Sequence, residues 1–119
     1  MKLTCFKYIF VSVCWSGQEQ PTPLILTSSQ RFRVAVGDSV LLPCSVQDLG
    51  SLVLMWKRQQ DVLTAGKLMV NPDVNRFQLV DGYNLEIRNI GATDAGDYTC
   101  HITTFKQPVT LTHTLEILG

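Results

Sequence analysis

The chain has no run of five or more basic residues, and its ten Lys and Arg are matched by ten Asp and Glu. Nucleic acid therefore finds no continuous cationic track and an anionic membrane no basic patch, so neither is expected as a ligand. The four cysteines and two histidines form no CxxC or HxxxH pair, so no metal site is expected. A Gly-rich phosphate loop is also missing. Neither His101 nor His113 is tied by spacing to a nucleophile, and Asp38, Ser39 and Asp94 fall in turns that serve the fold. The expectation is a non-catalytic chain with no cofactor and no small-molecule substrate. Asn71, Asn75, Asn84 and Asn89 are followed two residues on by Asp73, Phe77, Glu86 and Gly91, which excludes an Asn-x-Ser/Thr glycan acceptor. There is no internal repeat, no low-complexity tract and no helical period.

Long apolar runs are missing too. The run Tyr8–Trp15 is far short of the roughly 20 residues that span a bilayer. It follows Lys2 and Lys7 and precedes the small residues Ser16 and Gly17. A charged start, a short apolar stretch and a small-residue exit describe a secretory signal peptide, assigned here to 1–16 with cleavage after Ser16. The competing readings are a membrane anchor and a buried N-terminal strand. Without Lys2 and Lys7 the rest carries eight basic and ten acidic residues, a net charge of −2.

Cys5 and Cys14 leave with the signal, and Cys44 and Cys100 remain. An even pair in a secreted chain is most simply a disulfide. Closing so long a loop contributes roughly 4 kcal/mol in the chain-entropy estimate, comparable to the stability of a marginal domain.

What is present is a series of short alternating strands. Residues 17–22 read as a polar leader and 23–118 as a single domain. Pro21 and Pro23 confine Pro23–Leu26 to a sheet edge. Arg33–Val36 alternates and stops at Gly37-Asp38. Val40, Leu42, Cys44 and Val46 lie on one apolar side of a further strand. In Leu52–Arg58, parity sends Leu54 and Trp56 inward. Asp61–Gly66, Lys67–Val70, Arg76–Leu79, Tyr83–Arg88 and Tyr98–Ile102 follow, and a last strand turns Leu115 and Ile117 inward. Asn71-Pro72-Asp73 and Asp81-Gly82 mark turns. Turn signals every eight to twelve residues predict an all-β chain. In a two-sheet sandwich, Cys44 and Cys100 link the layers, Trp56 packs on the link, and Tyr98 anchors a tight corner.

The ordered set GDSVLLPC, MWKR around Trp56, Arg76-Phe77, LEI and DAGDYTC resembles the immunoglobulin superfamily over essentially all of 23–118. The resemblance implies a two-sheet β-sandwich of the I-set or short V-set type with one inter-sheet disulfide. It also implies an ion pair between Arg76, at the start of strand D, and Asp94, six before the second Cys. More closely, WKRQQDVLTAG, NPDVNRFQLV and YNLEIRNIGATDAGDYTCHI look like the membrane-distal first domain of adhesion proteins of the lachesin, klingon and neurotrimin type. Those proteins carry three immunoglobulin domains and a lipid anchor, and pair through the face of strands C, C′, C″, F and G. The expected partner is thus another immunoglobulin-superfamily cell-surface protein, and the expected location is secreted or at the cell surface. Because the sequence stops at Gly119, a secreted single-domain form that binds a different ligand, or blocks longer relatives, is the alternative.

Parity aims Val53, Met55, Lys57 and Gln59 from strand C outward on that face, with Thr99, His101 and Thr103 from F. Leu63, Leu68 and Met69 are expected to extend it, with Phe105 at the loop tip. Large apolar groups on one sheet face mark either a docking surface or a patch covered by C″ and the loops. His101 is expected to be solvated, and His113, on the side of Leu115, to be partly buried and hydrogen-bonded.

Overall fold

The computed structural model describes residues 22–70 and 75–118, together with the backbone of 3–8 and 11–16. Strands β1 (Leu3–Tyr8) and β2 (Val11–Ser16) pair antiparallel with each other. The cleavage point after Ser16, the leader apart from Thr22, and the turn Asn71-Pro72-Asp73 lie outside the described residues.

The domain begins with β3 (Leu24–Ile25) and β4 (Arg31–Ala35), followed by β5 (Val40–Leu42) and β6 (Val46–Gln47). Then come β7 (Leu54–Arg58), β8 (Asp61–Ala65), β9 (Leu68–Met69), β10 (Phe77–Val80) and β11 (Asn84–Ile87). A short 3₁₀ turn at Ala92–Asp94 leads into β12 (Gly96–Ile102), and β13 (Val109–Leu118) closes the chain. One sheet runs β4-β13-β12-β7-β8-β9, the other β10-β11-β5, and β3 pairs with β6. In sandwich lettering β7, β8 and β9 are C, C′ and C″, and β12 and β13 are F and G.

Period two builds the core. Leu54 and Trp56 of β7, Tyr98, Cys100 and Ile102 of β12, Leu42 of β5, and Leu85 and Ile87 of β11 are all buried between the sheets. Cys44 and Cys100 form the inter-sheet disulfide, 56 residues apart in sequence. Trp56 lies directly across from Cys100 in the β7–β12 ladder, and its indole N–H donates to the Tyr83 carbonyl of the opposite layer at 2.7 Å. His113, expected to be partly buried, is fully buried on the inward side of its strand. Its Nδ1 accepts from the Gln30 N–H at 3.0 Å, so Nε2 carries the proton and donates to the Pro43 carbonyl at 2.7 Å. The ring stacks near Trp56 and meets the edge of Phe32.

The strand expected across Val40–Val46 is broken in two. Pro43 has no N–H, while the Cys44 and Ser45 N–H groups turn to Asn84 Oδ1 at 3.0 Å and Thr27 Oγ1 at 2.9 Å. The first half pairs with β11 and the second with β3.

The lower end is closed as the resemblance implied. Arg76 donates to both Asp94 carboxylate oxygens, at 2.7 and 3.0 Å. The Tyr98 hydroxyl donates to the Asp94 carbonyl at 2.6 Å, making the corner. Arg58 adds a longer contact to Asp94 at 3.8 Å and donates to the carbonyls of Thr93 and Ala95.

Candidate protein-binding face

The inward Cys100 fixes the alternation of β12, and the ladders carry it across the sheet. One outward row runs Thr110, His101, Met55, Ala65 and Leu68 from β13 to β9. The next runs Thr112, Thr99, Lys57 and Val62. These rows are the outer surface of the C, C′, C″, F and G strands. Val53, just before β7, is 52% exposed, Leu68 is 69% exposed, and Phe105 in the β12–β13 loop is 99% exposed. Gln59 and Thr103 are exposed, while Met55, Lys57 and His101 are half-buried among their strand neighbours.

Two residues expected on this surface are elsewhere. Leu63 is 1% exposed and belongs to the core. The reason is a register shift: Trp56 faces Thr64 but Lys57 faces Val62, so β8 carries one extra residue against β7. A bulge of this kind breaks strict alternation, and Leu63 and Thr64 both turn inward. The Thr64 hydroxyl inside the layer accepts the Trp56 N–H at 3.1 Å. Met69 pairs with inward Thr64 and packs against the core. Their places outside go to Val62 and Ala65, which alternation without a bulge does not single out. Gly66, with φ at +60°, makes the tight β8–β9 turn that sets Leu68 at the rim.

The surface is divided chemically. On β12 and β13 most of the outward side chains are threonines, beside Asp97, His101 and Glu116, with the Thr99 and Thr112 hydroxyls hydrogen-bonded at 3.0 Å and Thr114 donating to Asp97 at 2.7 Å. On β7 to β9 they are Met55, Val62, Ala65 and Leu68, with Lys57 the one charge among them. Burial, and then the positive charge of Lys57, pull the His101 imidazole below its ordinary value, so it is neutral at pH 7. Its Nε2 lies 3.2 Å from the Thr103 hydroxyl. Phe105 sits on an ordered turn: Thr104 Oγ1 accepts the Lys106 N–H at 3.1 Å and donates to the Gln107 carbonyl at 2.8 Å. A fully exposed ring on a fixed support fits an interface anchor that loses little freedom on docking.

Among the described residues no three of His, Cys, Asp and Glu gather at metal-binding distance, and no helix is long and apolar enough to cross a membrane.

Two sheets, a central disulfide with Trp56 beside it, and the Tyr98 corner define an immunoglobulin-type sandwich. Residues 23–117 match the Immunoglobulin I-set domain, and the chain belongs to that family. It is 36% identical over 104 residues to mouse Contactin-3, covering 84% of this chain and 10% of that protein. It is 35% identical over 92 residues to rat Cell adhesion molecule 3, covering 72% of this chain and 22% of the relative. The chain thus spans a small part of the length of these adhesion proteins. Its fold superposes with a TM-score of 0.75 on a chain in the crystal structure of Dpr1 IG1 bound to DIP-eta IG1, at 24% identity, covering 82% of this chain and 96% of that one.

Proposed function

We propose that this domain is an extracellular, non-catalytic recognition module that pairs with a related immunoglobulin domain through its C–C′–C″–F–G face, as in cell adhesion. One observation carries the reading. Val53, Leu68 and Phe105 are exposed on or beside a sheet surface whose other outward residues on β7 and β8 are apolar apart from Lys57. A contiguous apolar field of this kind in a polar rim is a common mark of a protein-binding site, and the threonines of β12 and β13 supply such a rim. The adhesion relatives support the setting, and the similar fold in an immunoglobulin–immunoglobulin complex supports the mode. Within the family, the finer likeness is to the first domain of lachesin, klingon and neurotrimin-type proteins. Residues 1–16 serve as the secretion signal in this reading, placing the domain outside the cell. A contact of about 800 Å² per partner is ordinary for such a pair.

The test is a binding screen of the mature domain against extracellular immunoglobulin proteins of the same source. It is repeated with Met55→Glu and Phe105→Glu, both checked for intact unfolding curves. The reading expects a bound partner that either substitution releases. Binding unchanged by both substitutions would move the site away from this face.

A further inference from the structure

The outward charges of the face say what kind of partner it takes. Lys57 stands on β7, the strand between β12 and β8, with Thr99 on one side and Val62 on the other. The remaining outward residues of β7, β8 and β9 are Met55, Ala65 and Leu68. Asp61, the acidic residue of β8, pairs across from Arg58 on the opposite parity. Two carboxylates stand further along the same sheet surface, and both are engaged. Asp97 Oδ1 takes the Thr114 hydroxyl at 2.7 Å. Glu116 is shared by Arg31 at 3.2 Å and Arg33 at 3.0 Å. Among the described residues, then, the outward side chains of β7, β8 and β9 include one cation, at the end of the apolar field away from Val53, and no anion.

Taking the pairing reading above as its base, we infer that the partner is a different immunoglobulin domain, one presenting a carboxylate opposite Lys57, rather than a second copy of this chain. In a two-fold pair the same patch meets itself. A symmetry axis through the apolar field sets each Lys57 over outward residues drawn from Val53, Met55, Val62, Leu68, Thr99 and His101, or over the other Lys57. None of these is an acid, so two ammonium groups lose water with no carboxylate to replace it, which disfavours association. Moving the axis along β12 until Asp97 of one copy reaches Lys57 of the other relieves the charge but shifts the contact toward the wrong end. Asp97 lies near the start of β12, whereas Val53 and Phe105 lie beyond its other end at Ile102, so the most exposed apolar groups stay in water. A partner with one Asp or Glu in register covers the field and neutralises Lys57 together. Because a buried charge pair depends on both members, it also gives discrimination between related partners.

The experiment has two arms. Sedimentation velocity is run on the mature chain alone and on a mixture of wild type with Lys57→Glu. The inference expects wild type alone to be monomeric. Self-association of the wild type that Met55→Glu abolishes overturns it while leaving the reading of the face intact, whereas dimer appearing only in the charge-swapped mixture supports it, because a carboxylate then stands opposite Lys57. In the second arm, a panel of extracellular immunoglobulin domains of the same source is tested against wild type, Lys57→Gln and Lys57→Glu, each variant first shown to unfold as wild type does. The expected result is a partner whose affinity falls about tenfold or more with Lys57→Glu and less with Lys57→Gln. Replacing one partner acid by Lys is expected to restore binding to Lys57→Glu. A partner released by Phe105→Glu but indifferent to Lys57→Glu overturns the charge assignment alone. A panel with no binder at all, from a chain that is also monomeric, sinks the face and the inference with it.

Discussion

Arg76 grips Asp94 by two hydrogen bonds, one to each carboxylate oxygen, at 2.7 and 3.0 Å, across 18 residues of sequence. The carboxylate is buried, and its Oδ2 also accepts the Gly91 N–H at 2.8 Å. The same residue's carbonyl receives the Tyr98 hydroxyl. One residue thus ties the strand β10 side of the sandwich to the start of β12.

Removing the guanidinium leaves a buried carboxylate with Arg58 at 3.8 Å as its nearest remaining cation. Breaking one side of a buried pair costs about 3–5 kcal/mol. Arg76 is itself partly exposed, so the expected loss for Arg76→Met lies near the lower end, about 3 kcal/mol. Urea unfolding measures it. Arg76→Met combined with Asp94→Asn should recover part of the loss, because no uncompensated charge remains, and a double variant no better than the single would contradict this account of the pair.

The same site sets a pH dependence at each extreme. Burial alone would raise the Asp94 carboxyl, but the hydrogen bonds from Arg76 and Gly91, with the charges of Arg76 and Arg58, outweigh it and hold the group below its ordinary value. As pH falls, the unfolded chain takes the proton first. The stabilisation is therefore present above the unfolded value of about 3.9 and is lost as pH drops through the lower folded one. Tyr98 behaves in the opposite sense. Burial pushes its hydroxyl up to about 12, so its contribution is full below about pH 10 and disappears as pH rises through the folded value. Asp94→Asn should flatten the acid limb of a stability–pH curve and Tyr98→Phe the alkaline limb. Limbs that keep their wild-type slopes would show that other groups set them.

Reducing the Cys44–Cys100 bond releases a 56-residue loop in the unfolded chain. The entropic estimate is roughly 4 kcal/mol. The melting temperature should fall by many degrees under reductant, and an unchanged value would contradict the disulfide's assigned contribution.

The His101 ring should titrate below the ordinary histidine value, first through burial and then through Lys57. NMR of the ring protons checks this. Lys57→Met should move the midpoint up part of the way and leave the burial contribution in place. A midpoint indifferent to Lys57 would show that the two side chains do not interact and that burial alone sets the shift.

Residues whose position follows from a period of two were legible in the sequence. Cys44, Trp56, Tyr98 and Cys100 face inward because each stands on the apolar side of an alternating run. The outward aim of Met55, Lys57, Thr99 and His101 follows from them. The Arg76–Asp94 pair was legible only through family resemblance, since nothing local joins an Arg at a strand start to an Asp 18 residues on. The break at Pro43 and the inward turn of Leu63 were not legible. Each depends on which partner takes a backbone hydrogen bond, and a bulge is a two-against-one count between strands that a single strand's pattern does not record.

That bulge separates two neighbouring side chains into opposite roles, which gives a direct check on the edge of the face. Leu63 lies in the core, so Leu63→Ala should cost about 2–5 kcal/mol, the usual range for a buried leucine. Val62 faces out opposite Lys57, at a half-buried position beside the apolar field. Val62→Asp should leave urea unfolding within about 1 kcal/mol of wild type. It should nevertheless weaken partner binding strongly, because it desolvates a new charge where the field is apolar. Without the extra residue in β8 the two side chains would exchange faces, and the two effects would exchange with them. Urea unfolding and binding measured on the same two variants therefore read the register of β8 against β7. A stability loss at Val62 with none at Leu63 would place the bulge elsewhere and return Leu63 to the surface.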